Sequence, residues 1–309
     1  MASPRGYCAG VERAVETVER TLELYGAPVY VRKQIVHNAH VVRELEERGA
    51  VFVDSVADVP EGATLVFSAH GVSPAVRDAA DARGLTTLDA TCPLVTKVHT
   101  QARRFADRGY TIVLVGHDGH EEVEGTRGEA PDAIVLVESI ADAEAIVLPA
   151  NAPLAYVTQT TLSVDETREI IAVLRRRFPS IEGPATEDIC YATSNRQWAV
   201  KELLGEVDVL LVIGSRNSSN SQRLVEVARA AGVPAHLIDD ESEIDERWLD
   251  DARVAGITSG ASAPESLVRR VCAWFSERGV RDISEYRSVY EDVVFRLPVE
   301  LRRTERPAA

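Results

Sequence analysis

Short apolar runs alternate with longer amphipathic stretches from one end of this chain to the other. The runs are 51–53 (VFV), 64–69 (TLVFSA), 111–116 (TIVLVG), 133–137 (AIVLV), 154–158 (LAYVT), 207–214 (VDVLLVIG), 235–238 (AHLI) and 254–260 (VAGITSG). Each has the length of a strand, and near-continuous hydrophobicity marks strands covered on both faces, as in parallel sheets. Between the runs, helical patterns occupy 74–83, 97–108, 164–178, 197–204, 222–230 and 264–276. This alternation predicts βαβ units and an α/β fold of mainly parallel sheets. No low-complexity linker marks a domain boundary.

Composition narrows the class. With 309 residues and 45% hydrophobic content the chain can bury a sizeable core, enough for two or three domains. Its 49 acidic against 34 basic residues give a net charge of −15. That balance argues against nucleic acid or an anionic membrane as a partner, since both would be repelled. No apolar run approaches the roughly 20 residues of a bilayer span. The opening MASPRGYCAG lacks an apolar leader core, so a cytoplasmic location is expected. In that reducing setting the four cysteines are ligands, nucleophiles or packing residues rather than disulfides.

Cys8, Cys92 and Cys190 are each separated by about the length of a small α/β unit, and each lies beside a helix start, in YCAGVERAV, TCPLVTKVH and ICYATSNRQWAV. Three similar units, each giving one cysteine to a shared centre, account for this spacing. Thiolates at helix N-termini suit a metal cluster. A lone cysteine more often simply packs, and Cys272, on the apolar side of SLVRRVCAWF, is expected to do so. Spacing alone does not choose zinc over iron–sulfur.

Polar groups gather where strands end. GSRNSSNSQRL places Ser218, Ser219, Asn220 and Ser221 at the start of a helix, an anion site without the phosphate-loop pattern. SGASAPESL repeats the arrangement, with Ser262 as expected N-cap and Pro264 in the first turn. Two such loops favour a phosphate or diphosphate ligand. In TQTTLSVDE, Ser163 and Glu166 form a capping box, leaving Gln159, Thr160 and Thr161 to point from the strand end. His37 and His70 follow strands, where ligands of open α/β sheets bind. His40, His99 and His236 are read as hydrogen-bonded structural groups. In VGHDGHEEVEG, His117 and His120 stand three apart with Glu121 and Glu122 following; without further ligands the pair is a weak zinc signal.

Taken together, PRGYCAGVERAV, IVHN, FSAHGVS, DATCPLVTKVH, GHDGHEEVEGT, TQTTLSVDET, DICYATSNRQ, GSRNSSNSQRL, GASAPE and EDVVFRLPVELR resemble the 4-hydroxy-3-methylbut-2-enyl diphosphate reductase (IspH/LytB) family of the non-mevalonate isoprenoid pathway, over about residues 4–302. The resemblance implies three α/β units arranged as a trefoil around a central iron–sulfur cluster: 10–92, 93–189, and 1–9 with 190–278, with 279–309 folding back towards the active site. It implies one [4Fe–4S] cluster per chain on Cys8, Cys92 and Cys190, one iron being left open. His37, His70, Ser218, Ser219, Asn220 and Ser262 would hold the allylic diphosphate. Thr160, His120 and Glu122 would surround its hydroxyl, with proton delivery by His120 and Glu122 from a loop and supporting or solvent-facing roles for His117 and Glu121. The implied reaction is reductive dehydroxylation to isopentenyl and dimethylallyl diphosphate. Its electron donor would be reduced ferredoxin or flavodoxin, for which 175–177 offers a basic docking patch.

Two positions depart from the family pattern. Only MAS precedes Pro4, so either the unit holding Cys8 lacks its edge strand or the start lies further upstream. Glu121 replaces the usual proline, which predicts a less rigid segment around Glu122. The rival readings are a non-catalytic iron–sulfur redox sensor, which needs neither Glu122 nor the donor loops, and a zinc hydrolase built on the histidines.

Overall fold

A computed structural model describes residues 1–149 and 152–302. The chain opens with the two-residue strand β1 (Ala2–Ser3) and the helix α1 (Ala9–Tyr25). The first sheet then follows: β2 (Val29–Arg32), α2 (Ala39–Glu47), β3 (Ala50–Val53), β4 (Thr64–Phe67), α3 (Pro74–Ala82) and β5 (Thr86–Asp89), paired in the order β3-β2-β4-β5. The second comprises α4 (Pro93–Asp107), β6 (Thr111–Val115), α5 (Glu121–Arg127), β7 (Ile134–Val137), α6 (Ile140–Ala145), β8 (Leu154–Thr158) and α7 (Val164–Arg177), in the order β7-β6-β8. The third comprises α8 (Tyr191–Leu203), β9 (Val209–Ile213), α9 (Ser219–Ala230), β10 (Ala235–Ile238), β11 (Ala255–Ser259) and α10 (Glu265–Glu277), in the order β10-β9-β11. The described chain ends with β12 (Tyr286–Arg287), parallel to β1, and α11 (Val299–Arg302).

All pairings in the three sheets are parallel. Each sheet also repeats one topology: its first strand lies inside, the second on one side and the third on the other. Strand order therefore reverses beside β2, β6 and β9, and the carboxyl ends at such a reversal are where open α/β sheets bind ligands. The inner strands of the second and third sheets are the most apolar. Ile112 to Val115 in β6 and all five residues of β9 are at most 1% exposed. Helices covering both faces leave no place for a polar side chain there.

The chain divides into two compact units. One contains residues 1–12, 36–44 and 191–294; the other contains 13–35, 45–190 and the chain from 295 on. In the first, the third sheet packs Leu210 and Val212 against Ala199, Val200 and Leu203 of α8 and Leu224 and Ala228 of α9. On its other face, Leu211 and Ile213 meet Leu267, Val268 and Val271 of α10. In the second unit, Val113 and Val115 pack with Ile170 and Leu174 of α7, and Ile112 and Leu114 with Val98, Ala102 and Phe105 of α4. Leu65 and Phe67 of the first sheet pack with Val72 and Ala80.

The residues before Pro4 do form a strand. Ala2 is fully buried among Ala199, Val200 and Leu203, and β1 pairs with β12 through Ala2–Tyr286 and Ser3–Arg287. Residues 303–309, the tail of the predicted C-terminal segment, lie outside the described residues.

Candidate active site

The carboxyl ends of the strands deliver the candidate residues in a regular way. The inner strand of each sheet leads to one group: β2 to His37, β6 to His120, β9 to Ser218. The third strand leads to another: β4 to His70, β8 to Thr160, β11 to Ser262.

Around the second sheet, the sequence 115–125 is a strand end, a turn and a helix rather than a loop. Gly119 takes φ +74°, and His120 then caps α5, its Nδ1 accepting the Glu122 N–H at 3.1 Å. Because that nitrogen accepts, the neutral ring carries its hydrogen on Nε2. Burial, with His70 and His117 nearby, pushes the imidazolium of His120 down to a pKa of about 3, so the ring is neutral at physiological pH. Glu122, in the first turn, is 2% exposed. Its Oε1 accepts the Thr160 N–H at 2.6 Å and its Oε2 lies 3.1 Å from Thr160 Oγ1. Burial raises its pKa above the usual carboxylate value, against the opposing effect of these bonds and of His70 and His99. The threonine hydroxyl donates to Oε2 when Glu122 is ionised, and the same contact lets a protonated Glu122 donate to the hydroxyl instead, so the pair can carry a proton in either state.

Gln159 does not point away from the strand end as expected. It is 1% exposed, and its Oε1 accepts the His117 N–H at 3.1 Å while its Nε2 donates to Thr161 Oγ1 at 2.8 Å. Gly116 permits this closeness, since a Cβ there would stand 2.6 Å from Val123 Cγ2. His70 lies beyond Gly116's turn at the end of β4, with Nδ1 3.0 Å from Glu121 Oε2 and its ring edge-on to His120 at 5.9 Å. Glu121 is thus neither solvent-facing nor loose. Beneath them His99 is 3% exposed and bonded to Glu129 at 2.9 Å. Its ring lies where Cβ atoms on Gly71 and Gly125 would come within 3.0 and 3.1 Å.

Around the third sheet, Ser218 caps α9 by accepting the Ser221 N–H at 3.3 Å. Ser221 itself is fully buried between Gly214 and Gly260, a packing role rather than an offered donor. Asn220 ties the two donor loops together: Oδ1 accepts Ala261 N–H at 2.9 Å, and Nδ2 donates to Thr193 Oγ1 at 3.2 Å. Ser219 is 8% exposed in the first turn. Ser262 is not the N-cap of α10. Pro264 holds that position, and Ser262 Oγ donates instead to the His37 carbonyl at 2.9 Å. His37 Nδ1 faces the Asn217 amide nitrogen at 3.2 Å, which as a donor leaves the hydrogen of the ring on Nε2. Asn38, fully buried, caps α2, and Ser215 Oγ accepts the Ala39 N–H at 3.0 Å.

Three cysteines sit at helix starts. Glu12 N–H donates to the Cys8 carbonyl and Thr96 N–H to that of Cys92, so both occupy N-cap positions, and Cys190 directly precedes α8. The Cys8 turn is held by its own N–H to Ala261 O at 3.2 Å and by the fully buried Arg196, which donates to Gly6 O at 2.7 Å. On the other unit, Lys97 of α4 donates to the carbonyls of Thr186 and Glu187 and pairs with Asp188 Oδ1 at 3.2 Å. This ties the helix behind Cys92 to the segment leading into Cys190. Cys190 N–H donates to Thr160 O at 3.1 Å. Cys272 instead lies mid-helix against the sulfur of Met1.

The family model described as LytB protein matches residues 1–276. The chain belongs to the LytB family. It is 60% identical to the 4-hydroxy-3-methylbut-2-enyl diphosphate reductase of Acidothermus cellulolyticus, over 98% of this chain and 89% of that protein. The corresponding reductase of Nocardia farcinica is 59% identical, over 99% and 91%. Among solved structures, the E-1-hydroxy-2-methyl-but-2-enyl-4-diphosphate reductase of Plasmodium falciparum superposes with a TM-score of 0.95 at 39% identity, covering 98% of this chain and 96% of that one. The three parallel sheets are thus the LytB fold.

The LytB family carries a [4Fe–4S] cluster, and the donor set here fits one. Three half-buried cysteines outside any disulfide stand at helix starts, where helix N–H groups favour thiolate, and sulfur is the donor that iron–sulfur clusters take. Arg196, Asn38 and Ser215 escaped the sequence reading, and the holding role of Gln159 was not foreseen. They present no chemistry of their own and act by fixing the turns that do. The arginines at 175–177 already have partners within the chain, although Arg176 remains 64% exposed. Arg175 bonds the Tyr156 hydroxyl, Arg176 pairs with Glu144, and Arg177 donates to the carbonyls of Ala143 and Ile146.

Proposed function

We infer that this chain reductively removes the allylic hydroxyl of 4-hydroxy-3-methylbut-2-enyl diphosphate, the last step of the non-mevalonate route to isoprenoids. Two electrons and two protons convert the alcohol to water and to isopentenyl or dimethylallyl diphosphate. The observation that carries the reading is the buried Glu122–Thr160 pair at the ends of β6 and β8, in a chain that is 60% identical to a reductase of that name.

Cys8, Cys92 and Cys190 would hold one [4Fe–4S] cluster per chain, which when bound would supply electrons singly and a Lewis-acidic position. Glu122 stores a proton as a neutral acid and passes it to Thr160 Oγ1, whose own hydrogen moves to the departing hydroxyl. His120 contributes a hydrogen bond from Nε2 and not a titrating proton, since its ring stays neutral. His37, His70, Ser218, Ser219, Asn220 and Ser262 hold the diphosphate. They are hydroxyl, amide and imidazole donors without lysine, which orient the anion. Reduced ferredoxin or flavodoxin is the electron donor, and the thiols call for a reducing cytoplasm.

The test is anaerobic: reconstitute the cluster, count iron and sulfide per chain, and supply reduced viologen with the hydroxylated substrate. Both five-carbon diphosphates are expected as products. A full complement of iron with no turnover would instead support a redox sensor.

A further inference from the structure

Three histidines are assigned to substrate, and their Nδ1 atoms are not treated alike. His37 Nδ1 faces an amide nitrogen and His120 Nδ1 accepts a backbone N–H, so each is a neutral ring that donates through Nε2. His70 is different. Its Nδ1 lies 3.0 Å from Glu121 Oε2, and both side chains are largely shielded, at 14% and 15% exposure. An ionised carboxylate only accepts, so in this contact Nδ1 carries the hydrogen. Ser68 Oγ, 3.4 Å from the same nitrogen, could have served either tautomer.

The consequence falls on Nε2. A neutral His70 held in this way presents a lone pair there, which repels a phosphoryl oxygen. To grip an anion the ring must be protonated at both nitrogens, and the carboxylate behind it then stabilises the cation in a charge-assisted bond. We propose that Glu121 is a positioning residue for diphosphate binding: it orients His70 through Nδ1–H and supports the doubly protonated ring whose Nε2–H holds the diphosphate. This rests on the reading of His70 as a diphosphate ligand.

The opposite outcome is physically distinct. If Glu121 does not support a cation, it is simply a negative charge beside an anion, and neutralising it improves binding. The test uses cluster-loaded protein and compares Glu121→Gln, His70→Asn, the double variant and Glu124→Gln. Glu124 is an exposed acid in the same helical turn. The readouts are KM and kcat for the hydroxylated substrate and the calorimetric Kd of inorganic diphosphate. Glu121→Gln is expected to raise KM and Kd about tenfold, the scale of one charge-assisted hydrogen bond, with kcat within about twofold. Glu124→Gln should change neither, and Glu121→Gln should add less than about twofold once His70 is asparagine. Unchanged or tighter binding in Glu121→Gln, or the same penalty without His70, overturns the proposal. If His70→Asn itself leaves KM and Kd unaltered, the reading of His70 as a ligand has failed first.

Discussion

Replacing Glu122 by glutamine separates the proton from everything else the side chain does. In the protein, Oε1 takes the Thr160 N–H at 2.6 Å and Oε2 meets Thr160 Oγ1 at 3.1 Å. The amide reproduces both contacts, with its oxygen accepting from the backbone and its nitrogen donating to the hydroxyl. Burial already favours the neutral acid, so a neutral amide removes little charge from the interior. One extra N–H needs a partner, which sets the stability cost at about 1–3 kcal/mol. The rate should respond differently, because an amide cannot deliver a proton. Loss of a positioned general acid typically lowers turnover about 10²–10⁴-fold, or roughly 3–5 kcal/mol of barrier. Anaerobic assays with reduced viologen, at equal iron content and with KM measured alongside kcat, check this directly. The wild-type rate should fall as pH rises through the elevated pKa of Glu122, because the proton is lost, and the residual rate of the variant should lack that step. Turnover within tenfold of wild type at full iron would refute the relay.

Other perturbations test neighbouring parts. The folded pKa of His120, about 3, lies below the ordinary 6.5. Its contribution to stability is therefore fully present above about 6.5 and is lost as pH falls towards 3, and His120→Asn, which can still cap Glu122 N–H, should flatten that decline in urea melts. Lys97→Met leaves the buried Asp188 without its ammonium and should cost about 2–3 kcal/mol in chemical denaturation, less than the roughly 3–5 of a fully buried pair because Lys97 is itself 33% exposed. Serine at Cys8, Cys92 or Cys190 should abolish full iron loading, whereas Cys272→Ser should leave iron per chain unchanged. Gly116→Ala puts a methyl 2.6 Å from Val123 Cγ2 and should cost about 1–3 kcal/mol by thermal melting.

Strands buried on both faces were legible because nothing polar interrupts them, as β6 and β9 show. β5, TTLD, was missed because only Leu88 of its four residues is buried, leaving no apolar run. α8 begins at Tyr191, six residues before the pattern predicts, because its first turns bury Thr193, Arg196 and Gln197. A polar buried face erases the periodicity by which a helix is recognised. α5 escaped notice for a related reason: seven residues with three glutamates and a glycine carry too little apolar signal. At the site, the motifs identified which residues do chemistry but not which hold them. Ser262 looked like a cap because serine before proline commonly caps a helix; its hydroxyl instead found a carbonyl from residue 37. No local rule reports such a partner, because the two residues lie 225 positions apart and meet only in the folded chain.

The first residues have a bearing on how the protein is made. The N-terminal ammonium bonds the carbonyl of Ser284, Arg5 pairs with Glu285, and Arg196, which holds the Cys8 turn, is paired with Glu291. At about 5–20 residues per second, a ribosome takes tens of seconds between releasing Cys8 and reaching those partners. Throughout that interval Cys8 belongs to an unformed turn, open to oxidants. On the proposed role of Cys8 as a cluster ligand, its turn is complete only after nearly the whole polypeptide has been synthesised, and carriers that deliver iron and sulfide should engage the finished chain rather than the nascent one.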